Sequence, residues 1–181
     1  MSNPLFNASL LESLDFSDSE GIHFNPTITL KNPGNALTIR PLQRDDYDHG
    51  YYEVLRQLTT VGEPSLEDFQ TRFDEMLACA GTYYVIVVED TNTKQVVASC
   101  SLVIEKKFIR QCTKRGRIED VVVDGSCRGK QLGKLLVLTA KKLARKLECY
   151  KLTLECEKDK IPFYEKFGFR NNECFYMVQR F

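Results

Sequence analysis

The heptapeptide Arg128-Gly-Lys-Gln-Leu-Gly-Lys134 places three cations around two glycines, between a valine-rich segment and a leucine-rich one. Leu132, Leu135, Leu136, Thr139, Leu143 and Leu147 recur at helical spacing, so the loop opens a helix. The first N–H groups of a helix lack internal acceptors and sit at the positive end of its dipole, which suits a pyrophosphate. Ahead of the loop, Ile118-Glu-Asp-Val-Val-Val-Asp124 reads as a buried strand carrying the adjacent carboxylates Glu119 and Asp120. A P-loop is excluded: Gly129 to Gly133 is one spacer short, and Leu135 stands where Ser or Thr must hold magnesium. A Rossmann fingerprint needs a third glycine. The pyrophosphate of coenzyme A is the best remaining ligand, against the plainer reading of a strand-to-helix turn that binds nothing.

The flanking pattern gives the elements that must position this loop. Leu37 to Arg40 reads as a strand, Asp45 to Leu58 as a helix, and Ser65 to Ala80 as a second helix opened by a capping box with Asp68 in the Glu position. Tyr83 to Val88 is a buried strand, and Gln95 to Phe108 is the second arm of its hairpin. Arg117 to Val123, Lys151 to Cys156 and Glu173 to Phe181 read as further strands, with a short helix over Ile161 to Phe167. The order predicts a single-domain α/β fold, a mixed central sheet flanked by helices. Residues 1–36, rich in Asn, Ser, Asp and Pro, read as an N-terminal extension, and 37–181 as the domain.

Composition narrows the function classes. Lysine plus arginine equals aspartate plus glutamate, 25 to 25, which weighs against a nucleic-acid partner. No apolar run reaches a membrane span, and the acidic start lacks the features of a secretion signal. The expected location is the cytoplasm, with reduced thiols. Seven cysteines include no C-x-x-C pair, so no metal site is expected. His23 and His49 read as exposed, non-catalytic residues.

The strand–Arg-Gly-Lys-Gln-Leu-Gly–helix unit resembles the acetyl-CoA loop of the GNAT acetyltransferase superfamily. That loop usually has glycine where Gln131 stands. Leu58 to Gly62, Ile104 to Ile109, Ile118 to Asp120, Cys149 to Lys151 and Phe163 to Phe169 extend the likeness over about 37–181. Together they resemble the eukaryotic glucosamine-6-phosphate N-acetyltransferases. The resemblance implies a GNAT fold and direct transfer of acetyl from acetyl-CoA to the 2-amine of glucosamine 6-phosphate. Transfer occurs in a ternary complex without an acyl-enzyme, and the product feeds UDP-N-acetylglucosamine synthesis. It also implies a homodimer.

By the same resemblance, Val121, Val122 and Val123 hold the acetyl and pantetheine arm. Arg128, Gly129, Lys130, Gln131, Leu132, Gly133 and Lys134 hold the pyrophosphate. Tyr164 hydrogen-bonds the leaving sulfur, and Glu155 orients the amine or removes its proton. Thr59, Lys107, Phe108, Ile109, Arg110, Glu119, Asp120 and Arg180 bind the sugar phosphate, with Arg180 reaching the partner's site. The family often has His at the place of Arg110 and Asn at that of Lys160. Neighbouring strand residues face opposite ways, so Glu119 and Asp120 share one pocket only if a bulge intervenes. Cys156 is expected near the coenzyme thiol, as a redox-sensitive residue able to form a mixed disulfide with it. The alternatives are a GNAT enzyme acting on a protein N-terminus or another small amine, and a non-catalytic acetyl-CoA-binding module.

Overall fold

The computed structural model describes residues 3–171 and 176–180. β-Branched residues favour extended backbone and pack well on a pleated surface. Accordingly β2 spans Tyr83–Asp90, with Ile86, Val87 and Val88 sealed from solvent. It pairs antiparallel with β1 (Leu37–Pro41) and β3 (Val96–Lys106). β4 (Lys114–Val123) lies antiparallel to β3, and β5 (Cys149–Leu154) joins β4 in parallel. The sheet order is β1-β2-β3-β4-β5. A parallel neighbour requires a crossover, which α5 (Leu132–Lys146) supplies. The mixed sheet flanked by helices is the arrangement the sequence pattern predicts.

Leu135, Leu136, Val137 and Leu138 are consecutive and fully buried. One stripe facing a sheet cannot absorb four successive side chains, so α5 must also be covered on its outer side. The N-terminal segment covers it. Leu5, Phe6, Leu11, Leu14, Ile22 and Leu30 belong to the same core as the sheet, and α1 (Ser9–Glu12) packs on α5. Glu20 then pairs with Lys141, Lys142 and Arg145 at 2.8, 3.5 and 2.7 Å. Burial opposes the Glu20 charge, but Lys141 and Arg145 hold its carboxyl below the ordinary glutamate value.

On the other side of β3 and β4 lies α2 (Tyr51–Leu55), joined to α3 (Leu66–Ala78) through rings of Tyr51, Tyr52 and Phe69. Ser65 and Asp68 cap α3 reciprocally, as the sequence predicts. The helix expected from Asp45 starts only at Tyr51. Gly50 is left-handed (φ 76°), and the preceding turn is held by Asp46, buried in a two-pronged pair with Arg40. The short helix expected to Phe167 is α6 (Ile161–Glu165). The final strand expected over 173–181 is not formed over 176–180; the rest of that stretch lies outside the described residues. Alternation alone does not make a strand without a neighbouring ladder.

Candidate active site

Two irregularities of β4 create the site. Between Ser99 and Ser101 of β3, the pairing residue on β4 jumps from Val122 to Glu119, so β4 holds one extra residue. Asp120 sits at this bulge with φ 51°. The bulge releases Glu119 and Asp120 from strict alternation. Meanwhile β5 pairs with β4 only as far as Ile118↔Leu154, although β4 continues to Val123. Beyond that point the strands part and one edge of β4 is unpaired. The Asp124 N–H donates to Val97 of β3 at 2.8 Å. Strand N–H groups alternate in direction, so those of Val121 and Val123 aim at the open edge while that of Val122 aims at β3. The Val122 side chain is buried, so only its backbone can serve a ligand.

Arg117 organises the carboxylates at this opening. It lies two residues before Glu119 and pairs in register with Thr153, two residues before Glu155. Its Nη2 donates to Glu155 at 2.5 Å, and its Nε lies against Glu119. Burial would lower the Arg117 pKa, but the two carboxylates outweigh it and raise it. From sequence Arg117 read only as the first residue of a strand, with no site role; the i, i+2 spacing to Glu119 was the available signal. Asp120, by contrast, has no cation beside it among the described residues. Water reaches its side chain, yet crowding desolvates it enough to raise its carboxyl above the aspartate value. Beneath it lie the Tyr51 phenol and the Cys100 thiol. Burial first, and then the Asp120 charge, push both upward, with Ser99 partly offsetting the shift at Tyr51.

The loop follows directly. Gly129 and Gln131 are both left-handed, with φ 84° and 65°. The first helical bond of α5 runs from the Leu135 N–H to Gln131 O, leaving the N–H groups of Leu132, Gly133 and Lys134 without intrahelical acceptors. Such a turn of amides is an anion cradle. Arg128 and Lys130 are exposed beside it. Leu132 is buried and offers only its amide. The Lys134 ammonium donates to His23 O at 3.2 Å, so its charge is drawn toward the N-terminal segment. These residues fit a pyrophosphate, and together with the open edge of β4 they fit coenzyme A.

Tyr164 stands on α6, edge-on to Phe163 with ring centroids 4.9 Å apart. An added Cβ at Gly133 would lie 3.8 Å from Phe163 and 3.7 Å from Val123, so α6 borders both the loop and β4. Burial, then the Cys100 and Cys156 thiols, push the Tyr164 phenol up to about 12. The exposed Cys156 thiol is itself raised, by burial and then by Asp159. Its thiolate fraction at neutral pH is therefore reduced, which disfavours thiol exchange.

Thr59 lies in an exposed recess formed by 56–63. Gln57 ties that recess to the end of β4, accepting from Gly125 N at 2.8 Å and donating to Asp124. Lys107, Phe108, Ile109 and Arg110 are not brought to the opening. They form the tip of the β3–β4 hairpin, beyond the pair Lys106↔Lys114. Glu119 and Lys114 are five residues apart, roughly 17 Å of strand. Lys107 pairs with Glu105, Phe108 is 97% exposed, and the Arg110 guanidinium lies 4.9 Å from the Tyr150 ring centre. The turn α4 (Ile109–Cys112) holds left-handed Arg110 and Gln111. Arg180 is exposed, near the equally exposed Tyr176, Met177 and Val178.

The profile of the acetyltransferase (GNAT) family matches residues 43–169. A probable glucosamine 6-phosphate N-acetyltransferase of Drosophila melanogaster is 48% identical over 91% of this chain and 75% of its own length. The glucosamine 6-phosphate N-acetyltransferase of Arabidopsis thaliana is 41% identical over 75% and 91%. A crystal structure of the Arabidopsis thaliana enzyme superposes with TM-score 0.77 at 39% identity, covering 80% of this chain and 98% of that one. The Drosophila match spans 166 residues, more than the 145 positions from 37 to 181, so it takes in part of the N-terminal segment.

The uncompensated carboxylate of Asp120 generates a stability test. Its folded pKa is raised, so the stability it contributes is present below the unfolded pKa and lost as pH rises through the folded one. Asp120→Asn keeps a residue that tolerates a left-handed backbone. The variant is expected to melt above the native protein at pH 7, with the gap closing as pH falls through the carboxylate range. Calorimetric melts across pH measure it; a lower melting temperature at pH 7 contradicts the account.

Proposed function

We propose that this chain, which belongs to the acetyltransferase (GNAT) family and groups with its glucosamine 6-phosphate N-acetyltransferases, moves the acetyl group of acetyl-CoA to the 2-amine of D-glucosamine 6-phosphate. The observation that carries the reading is the meeting, where β4 and β5 part, of two outward amides, a carboxylate cluster, Tyr164 and an anion cradle. The product supplies UDP-N-acetylglucosamine synthesis, and the site of action is the cytoplasm. The six described cysteines are free, and no described helix is long and apolar enough to cross a membrane.

Acetyl-CoA brings an activated acyl carbon and a thiolate leaving group. The chain's residues do the rest. The Val121 and Val123 amides point where a thioester oxygen gathers negative charge, an oxyanion-hole role that needs no titratable side chain. The amine arrives as an ammonium group and must lose a proton before it can attack. Glu119 and Glu155, fixed by Arg117, orient it, and Asp120 is the carboxylate left free to accept its proton. The C–N bond forms as the C–S bond breaks, and the departing sulfur takes a proton from Tyr164. A phenol held near 12 stays protonated at neutral pH and remains a donor throughout.

Two copies of the chain complete the sugar-phosphate site. Lys107 and Arg110 carry the charges that suit a phosphate, yet they stand farther from Glu119 than a hexose phosphate can span. A strained, exposed hairpin tip and an unpaired apolar C-terminal segment are both surfaces that a second subunit would order. We place Lys107 to Arg110 and Arg180 in the partner's site, where they meet the phosphate, with Thr59 beside the sugar.

Acetylation of glucosamine 6-phosphate should exceed that of free glucosamine by at least about tenfold in kcat/KM, the scale of a lost charged hydrogen bond. Equal rates would favour the alternative, a GNAT enzyme acting on a protein N-terminus or another amine. The alkaline limb of kcat due to Tyr164 should lie near pH 12, leaving kcat flat from pH 8 to 10. A limb near pH 8 that Tyr164→Phe removes would overturn the donor role. For the shared site, Lys107→Ala and Tyr164→Phe subunits, each impaired alone, should regain activity when co-expressed, because one composite site per mixed dimer has both native residues. Absence of complementation in purified mixed dimers contradicts the shared site.

A further inference from the structure

We infer that residues 20–28 form a positioning strap for the cofactor loop, and that they act through Gln131. This rests on the reading that the loop holds the coenzyme A pyrophosphate. Gln131 occupies the last position before α5 in a left-handed conformation, φ 65° and ψ 14°, and its side chain makes no capping bond there. Glycine adopts that conformation freely, and Asn or Asp can support it with a local hydrogen bond. Glutamine does neither, so something else holds the turn.

The carboxamide is engaged by the N-terminal segment on both its atoms. Its Oε1 accepts from the Asn25 N–H at 2.9 Å, and its Nε2 donates to Pro26 O at 3.0 Å. Less than one turn along α5, the Lys134 ammonium donates to His23 O at 3.2 Å. At the far end of the helix Glu20 takes Lys141 and Arg145. Residues 20 to 26 therefore run antiparallel to α5, from its last turn to its first. Ile22 and Ile28, both buried, anchor the strap on either side of the contact with Gln131.

The strap therefore fixes the peptide planes that aim the amides of Leu132, Gly133 and Lys134. Binding of coenzyme A to those amides favours the left-handed turn, and the turn favours the strap. Linkage makes the effect reciprocal: what orders the strap tightens cofactor binding, and the cofactor orders the strap. On the proposed reading the sugar phosphate lies at neither, so its own affinity is expected to be independent of the strap. Gln131 is a positioning residue here, acting through the backbone it bends.

The test uses the full chain with Gln131→Ala and Gln131→Gly. It reads calorimetric coenzyme A affinity, the KM values for acetyl-CoA and glucosamine 6-phosphate, and hydrogen exchange of the Asn25 amide. In the native protein, coenzyme A should slow exchange at Asn25. Gln131→Ala should weaken coenzyme A binding about three- to tenfold, the scale of a few exposed hydrogen bonds, leave the sugar KM unchanged, and abolish the protection at Asn25. Gln131→Gly should also lose that protection yet regain affinity relative to the alanine variant, because glycine takes the turn unaided. Native-like affinity in Gln131→Ala, or a glycine variant as weak as the alanine one, overturns the strap. Failure of the native protein to bind coenzyme A at all instead overturns the reading of the loop, a separate result.

Discussion

Parallel strands β4 and β5 remain hydrogen-bonded only as far as Ile118 and Leu154, and the chemistry of the molecule gathers where they separate. An unpaired strand edge is ordinarily a liability, because its amides and carbonyls seek partners. Here the unpaired edge is short, from Glu119 to Val123. Its outward amides, those of Val121 and Val123, have no partner strand among the described residues, which leaves them available to a bound carbonyl. The bulge at Asp120 complements the split. It adds a residue to β4 at the level where pairing with β5 stops, and so frees Glu119 and Asp120 from the strict alternation of a regular strand.

That arrangement needs a rigid frame on both sides. α5 provides one wall, and its rigidity comes from burial all round rather than on a single stripe. Leu135 to Leu138 would expose apolar surface if the helix merely lay on the sheet. The N-terminal segment covers them and links its backbone to the loop at the helix start. α6 closes the other side, with Phe163 edge-on to Tyr164 and close to Gly133. The Arg128 to Lys134 loop, Tyr164 and the edge of β4 are thus held against one continuous core, so a displacement of any one is resisted by the packing of the others.

Much of this was legible in the sequence, and what was not shares a physical cause. β-Branched runs marked β2 and β4, the leucine spacing marked α5, and Ser65 with Asp68 marked the start of α3. These are local signals. The bulge, the role of Arg117 and the point where β5 departs depend on register between strands distant in sequence, which no single segment encodes. From sequence Arg117 was only the first residue of a strand. Only its cross-strand neighbour Thr153 reveals that Glu155 lies within reach. The cover over α5 was similarly hidden: residues 1–36 have the composition of a loose extension, but their scattered apolar residues, Leu5, Phe6, Ile22 and Leu30, fall where the helix needs them. The distance of Lys107 to Arg110 from Glu119 likewise appears only once the ladder is counted.

Of the three carboxylates of this region, Arg117 pairs with two, Glu119 and Glu155. A fully neutralised cluster would bind an ammonium group weakly and would have no site for its proton. A cluster without Arg117 would leave Glu119 and Glu155 as like charges with no cation between them. With one guanidinium against three carboxylates, two negative charges are left over, and the carboxylate without a cationic partner among the described residues is Asp120, the residue carried by the bulge. That placement is unfavourable for the empty fold, since a crowded carboxylate without a cation loses hydration and gains nothing in return. It becomes favourable when a cationic amine arrives. The carboxyl raised by crowding is also a stronger base than an ordinary aspartate, so the same desolvation that weakens the empty protein moves its proton affinity toward that of the amine for which it is the proposed base.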